Sequence, residues 1–246
     1  MRKIFVLFLM IIYVGCSSDV RDADGNRYKI VKIGNQVWMA ENLRTRAAKD
    51  SWCYANIAEN CEKYGRLYTW VAAMAFPDSC YDHKCELLGK HPHQGICPDG
   101  FHIPSIDEFN ELYEYVGKAS VALKLRSKKS RTKEEIAGDK EIYGEKNFDE
   151  FGFNLLLGGL AFNVKELSDG ADNGSEKRAT GLWTCNKESV IDTTFAWFVK
   201  LTKGMNEKLN ERFDIANSQC FLEGADSIIP IKLLKNGGSY LRCIKD

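Results

Sequence analysis

The stretch Gly95–Gly117, GICPDGFHIPSIDEFNELYEYVG, sets a cysteine, a histidine and a helix start side by side. Ser105-Ile106-Asp107-Glu108 has the form of a capping box. In that motif the serine hydroxyl accepts the backbone N–H three residues on, and the glutamate reaches back to the serine N–H. Ile106, Phe109, Leu112, Tyr113 and Val116 then make one apolar stripe, and Asp107, Glu108, Asn110, Glu111 and Glu114 make a wet face. Gly117 is the stop. The spacing therefore predicts a helix over 106–116. Upstream, Pro98-Asp99-Gly100 makes a turn between Cys97 and His102. That pair admits three readings: a nucleophile with its base, two metal ligands, or half of a disulfide beside a packed histidine.

Working outward, Tyr28–Ile33 (YKIVKI) and Gln36–Met39 (QVWM) alternate like strands around Gly34-Asn35, which predicts a β-hairpin. Tyr64–Phe76 (YGRLYTWVAAMAF) carries Leu67, Trp70, Val71 and Met74 at helical spacing and is read as a first, largely buried helix. Lys118–Lys146 is highly charged without a sustained apolar stripe, and reads as a solvated insertion with a short helix near Lys133–Ala137. Beyond Phe148 the texture changes to short β-like runs at Phe153–Leu157, Gly181–Thr184, Phe195–Leu201, Ile228–Leu234 and Ser239–Ile244. Glycine-rich turns punctuate them. A hairpin, two helices and then mainly antiparallel short strands make an α+β domain, with the final strand expected to return beside the first.

The chain has 246 residues, ample for a sizeable core. Its 34 basic and 34 acidic residues balance, which argues against nucleic acid as the main partner. Met1-Arg2-Lys3 is followed by the apolar run Ile4–Val14, which is too short to span a bilayer and suits a signal-peptide core. The run ends at Gly15-Cys16-Ser17-Ser18, similar to a bacterial lipoprotein signal in which Cys16 is lipidated and becomes the new N-terminus. The expected organisation is a signal peptide over 1–15, a lipidated tether over 16–27 and one domain over 28–246. Setting Cys16 aside, eight of the nine cysteines remain: Cys53, Cys61, Cys80, Cys85, Cys97, Cys185, Cys220 and Cys243. An even count in an exported chain reads as a disulfide framework. Cys53 with Cys61, and Cys80 with Cys85, enclose loops short enough to close locally.

Several motifs together resemble the Fibrobacter succinogenes major paralogous domain family. They are Asp24-Gly25-Asn26-Arg27-Tyr28, Lys32–Leu43 (KIGNQVWMAENL), Tyr64–Trp70 (YGRLYTW), Cys97–Ser105 (CPDGFHIPS) and the close Leu241–Asp246 (LRCIKD). The resemblance runs from about Asp24 to Asp246. It implies an exported bacterial protein, often a lipoprotein, of a family without an established activity, and a fold related to the C-type-lectin-like fold of lectins and formylglycine-generating enzymes. In that fold a cysteine at a helix start is tied to the last strand, which implies Cys97 with Cys243 and leaves Cys185 with Cys220. Two motifs depart from the family's pattern, Trp183-Thr184-Cys185 and Leu157-Gly158-Gly159, and Lys118–Lys146 is longer than the family needs.

The chemistry follows from these expectations. Cys80, His83, Cys85, His91, His93 and Cys97 are the residue types that hold zinc, but their spacing matches no common zinc module. No metal and no cofactor is expected; His83, His91 and His93 are the residues to check. Cysteine catalysis at Cys97 or Cys243 is not expected, and His102 is read as a bystander packed at the helix start. Asp169, Asp172 and Asn173 form an acidic loop without the EF-hand pattern, and the sugar-binding motifs of C-type lectins are absent. Of Trp52, Trp70, Trp183 and Trp197, Trp70 and Trp197 sit in apolar runs, and Trp52 is the better candidate for a ligand platform. The expectation is a lipid-anchored envelope or surface protein, displayed outside the cytoplasm, that binds a polysaccharide or a protein without catalysis. The alternatives are an enzyme using a metal or thiol in the Cys80–His102 region, or a purely structural envelope protein.

Overall fold

Strands β1 (Asp19–Arg21), β2 (Arg27–Ile33) and β3 (Gln36–Met39) open a computed structural model that describes residues 19–85, 92–117, 121–127, 129, 149–161, 179–185, 195–202 and 228–246. The β2–β3 hairpin has the expected register: Ile33 faces Gln36, leaving Gly34-Asn35 as a two-residue loop. Gly34 lies at φ +61°, a conformation suited to the first position of a primed turn. The chain returns to this hairpin at its end. Strand β10 (Ile244–Lys245) inserts between β3 and β6 (Phe101–His102), so the sheet order is β1-β2-β3-β10-β6 and every pairing is antiparallel.

The helix expected over 64–76 is not one helix. Helix α1 (Ala58–Tyr64) ends where that stretch begins, β5 (Leu67–Tyr68) pairs with β4 (Ser51–Trp52), and only Trp70–Ala73 forms helix α2. Gly65 makes the break. It lies at φ +87°, and a Cβ there would sit 2.7 Å from Asn42 Cβ and 2.8 Å from the Leu43 carbonyl oxygen. Thr69 then caps α2 by accepting the Ala72 N–H at 3.2 Å. Leu67, Tyr68, Trp70, Val71 and Met74 are all buried, so the apolar spacing reflected burial on every side and not a helical period. Helix α3 (Ile106–Val116) forms as its sequence predicts. Ser105 Oγ accepts the Glu108 N–H at 3.2 Å, Glu108 Oε2 accepts the Ser105 N–H at 2.8 Å, and Phe109, Leu112 and Val116 are buried. With α4 (Val121–Leu125), four α-helices stand among the described residues, where two were expected outside the charged insertion.

Helix α4 also corrects the reading of the charged insertion. Val121 and Leu125 are buried, so the start of Lys118–Lys146 belongs to the core; residues 130–148, including the helix expected near Lys133–Ala137, lie outside the described residues. Strands β7 (Ala179–Trp183), β8 (Phe195–Thr202) and β9 (Ile228–Leu234) form an antiparallel sheet close to the expected runs. Phe153–Leu157 is not a strand but touches Arg126 through one bridge at Leu155, and Gly238–Tyr240 stitches to Ala161, Tyr68 and Leu182 by isolated bridges.

One core cluster surrounds Met39, Trp70, Met74, Trp183 and the Cys97–Cys243 bridge; a second surrounds Trp38, Phe109, Leu112 and Phe153. The deeply buried indoles keep hydrogen-bond partners, as such groups require. Trp183 Nε1 donates to the Tyr68 carbonyl at 2.7 Å, and Trp70 Nε1 to the Thr184 carbonyl at 3.1 Å.

Among the described residues three disulfides join Cys53 to Cys61, Cys80 to Cys85 and Cys97 to Cys243, with Cα separations of 4.9, 5.4 and 5.9 Å. Cys185 is a buried free thiol among the described residues, its pKa pushed up to about 12 by burial and by the charge of Glu108. Its expected partner Cys220 lies outside the described residues, as do residues 1–18 with Cys16, and His91, Asp169, Asp172 and Asn173.

Candidate functional site

A buried histidine meets two carboxylates at the joint between β6, β10 and α3. Pro98-Asp99-Gly100 turns the chain, with the Phe101 N–H donating to the Pro98 carbonyl at 3.0 Å, and delivers His102 to the edge strand β6 opposite Ile244. His102 is 5% exposed. Its Nε2 lies 2.8 Å from Glu108 Oε1 and its Nδ1 lies 2.8 Å from Asp246 Oδ1. A neutral imidazole donates from one nitrogen only, so two ionised carboxylates on its two nitrogens call for the imidazolium. Burial opposes that charge, but the hydrogen bonds that His102 donates to Glu108 and Asp246 outweigh it and hold the His102 pKa above its ordinary value. Burial likewise raises Glu108, and His102 with the Ser105 N–H outweighs it, holding that carboxyl below its ordinary value.

Glu108 therefore does two things at once. One oxygen closes the helix cap on Ser105 and the other grips the histidine. The bystander reading of His102 is corrected: it is the hub of the joint. In its protonated form both nitrogens donate to carboxylates, so it clamps α3 to Asp246. Cys97 has no thiol for it to activate, being bonded to Cys243 one residue before β10.

The sign of the pH dependence follows. The raised His102 contributes stability that is complete below its ordinary value of 6.5 and is lost as pH rises through its folded pKa. The lowered Glu108 contributes stability complete above its ordinary value of 4.5 and lost as pH falls through its folded pKa. His102→Gln is thus expected to destabilise by about 2 kcal/mol between these values, on the scale of hydrogen bonds to charged groups. The difference from wild type should shrink at higher pH, as read from urea midpoints across a pH series. A difference that stays constant through neutral and alkaline pH contradicts the charged clamp.

Among the described residues the other two histidines, His83 and His93, do not converge. His83 is exposed and pairs with Asp82 at 2.6 Å. His93 Nε2 lies 2.8 Å from the Met74 carbonyl oxygen, with its ring against Phe76. Cys80, Cys85 and Cys97 are all consumed in disulfides. Among the described residues no group of three or more His, Cys, Asp or Glu is placed to hold a metal ion. Of the candidate platforms, Trp70 and Trp183 are fully buried and Trp197 lies on β8. Trp52 is half-buried on β4 and leans on the second core cluster, beside the Cys53–Cys61 bridge.

Sequence reasoning missed Asp246 and two buried cations. Lys235 sits over the Trp70 ring at 4.7 Å, and Arg242 lies over the Phe153 ring at 4.4 Å. Arg242 and Asp246 lay within a quoted motif, but nothing local marked them as interior partners.

A family model described as the Fibrobacter succinogenes major domain matches residues 31–245, from the β2–β3 hairpin to the last strand. No curated protein matches the chain, and no solved structure does.

Proposed function

From the premise that this chain belongs to the Fibrobacter succinogenes major domain family, we propose that it is a lipid-anchored protein of the cell envelope that binds a polysaccharide or a surface protein without catalysis. The observation that carries this reading is the set of three disulfides. Such bridges form and persist in oxidising compartments, outside the cytoplasm. The basic start, the short apolar run and Gly15-Cys16 supply a matching route of export and lipidation. A C-type-lectin-like fold is part of the proposal. A cysteine ahead of β6 and α3 bonded to the residue before the last strand, and a last strand returned beside the opening hairpin, support it. Binding is preferred over catalysis because the residues that would have formed a thiol site are cross-linked and the histidine beside them is locked. Trp52 is the proposed ligand platform.

Palmitate labelling and intact-mass analysis of the protein made in a bacterial host test the anchor. The expected product begins at a lipidated Cys16 and partitions with membranes, and Cys16→Ala loses both properties. An unlabelled mature protein with another N-terminus refutes the anchor. Arrays of glycans and cell-wall fragments test the binding role, with Trp52→Ala expected to weaken any hit by at least about tenfold, the scale of one aromatic contact. No hit among glycans or envelope proteins leaves the structural alternative.

A further inference from the structure

Arg66, just beyond Gly65, holds a half-buried guanidinium against the Cys53–Cys61 bridge. Two of its nitrogens are anchored on β4: Nη2 donates to the Ser51 carbonyl at 2.7 Å and Nε to Ser51 Oγ at 3.1 Å. The third faces sulfur, with Nη1 3.4 Å from Cys61 Sγ and 3.8 Å from Cys53 Sγ. Among the described residues no carboxylate lies within ion-pair distance of Arg66. A neutral disulfide draws little from such a cation, whereas a thiolate at the same place gains an ion pair and a charge-assisted hydrogen bond.

We propose that Cys53–Cys61 is a thiol-exchange site, opened by a dithiol reductant that attacks Cys53 and expels Cys61 as a thiolate held by Arg66. Access sets the direction. Cys53 is partly exposed, Cys61 is 6% exposed, and the cation lies nearer Cys61. The attacking thiolate gives its electron pair to a new bond with Cys53 Sγ, and the pair of the old bond leaves on Cys61 Sγ. The second thiol of the reductant, as its thiolate, then displaces Cys53, so the reductant ends as a disulfide and the protein gains two electrons as two thiols. A leaving thiol of lowered pKa departs faster.

The other bridges lack this arrangement. Cys97 and Cys243 are 4% and 0% exposed. Cys80–Cys85 has no cation hydrogen-bonded to its sulfurs among the described residues. Trp52 directly precedes Cys53, so, resting on the proposed function's reading of Trp52 as a platform, exchange at this pair would act next to it.

The test uses the oxidised full-length protein, incubated with dithiothreitol under native conditions, quenched with a mass-tagged alkylating reagent and mapped by peptide. Tags are expected on Cys53 and Cys61 first, with Arg66→Gln slowing their appearance about threefold or more and Arg66→Lys restoring part of the rate. A second measurement does not depend on reduction. In Cys53→Ser, alkylation of Cys61 against pH should give a midpoint at least about one unit below the ordinary thiol value of about 8.5. Adding Arg66→Gln should raise that midpoint. Earlier opening of either other bridge, rates insensitive to Arg66→Gln, or a Cys61 midpoint at or above the ordinary value each overturns the proposal.

Discussion

Replacing Cys97 and Cys243 together with alanine is expected to remove about 5 kcal/mol of stability, the loop-closure entropy of a cross-link over so long a segment. The two residues are 146 positions apart, and neither of the other two bridges lies inside that loop. Nothing else covalent among the described residues therefore shortens it in the unfolded chain. A domain of this kind is stable by only about 5–15 kcal/mol in total, so the loss is a third or more of the whole. The bridge joins the turn before α3 to the strand that completes the first sheet, so its removal also loosens the His102 joint. Urea unfolding of the oxidised wild type and the double variant measures the difference. A loss under about 1 kcal/mol means that the chain ends are held together in the unfolded state by something other than this bridge.

Arg242→Ala should cost about 3–5 kcal/mol, through the cavity it leaves and the acceptors it strands. The side chain is 1% exposed; its Nε donates to Asn42 Oδ1 at 2.9 Å and its Nη1 to the Phe153 carbonyl. Asn42 in turn donates to the Tyr64 carbonyl at 2.8 Å, so one guanidinium connects the C-terminal segment, the end of the opening hairpin region and the end of α1. Burial pulls its pKa down to about 9, which leaves the group charged at neutral pH. Arg242→Met separates the two contributions. It keeps most of the volume but removes both donors, so it should recover the cavity part and still lose about 2 kcal/mol. Denaturant midpoints of the two variants decide the matter; if both fall within 1 kcal/mol of wild type, the guanidinium is not what ties these segments.

What could be read in advance was local. The capping box, the stripe of Phe109, Leu112 and Val116, and the Gly34-Asn35 turn are each specified by residues within a few positions of one another, and each forms as read. The Tyr64–Phe76 stretch failed for a related reason. Periodicity reports the period of burial, and where every side is buried it carries no period; the decisive fact was the approach of Asn42 and Leu43 to Gly65. Val121 and Leu125 were hidden in a charged neighbourhood, although the core reaches them. The Cys97–Cys243 pairing was reached through family resemblance, since eight cysteines admit 105 pairings and spacing alone does not choose among them.

The sequence by itself determined the opening hairpin, the capped helix and the cysteines that close short loops, because those depend on neighbours along the chain. Only the tertiary structure decided what His102 and Arg66 do. His102 is held by a carboxylate 144 residues away, and its charge state depends on that distance and on burial. Arg66 meets sulfur because β4 and the turn after α1 are packed together. Electrostatic roles are set by separations in space and by access to water, and neither is written in the order of residues. Cys97 and His102, five positions apart and a plausible catalytic pair on that ground, are instead a covalent staple and an ionic clamp on the same joint.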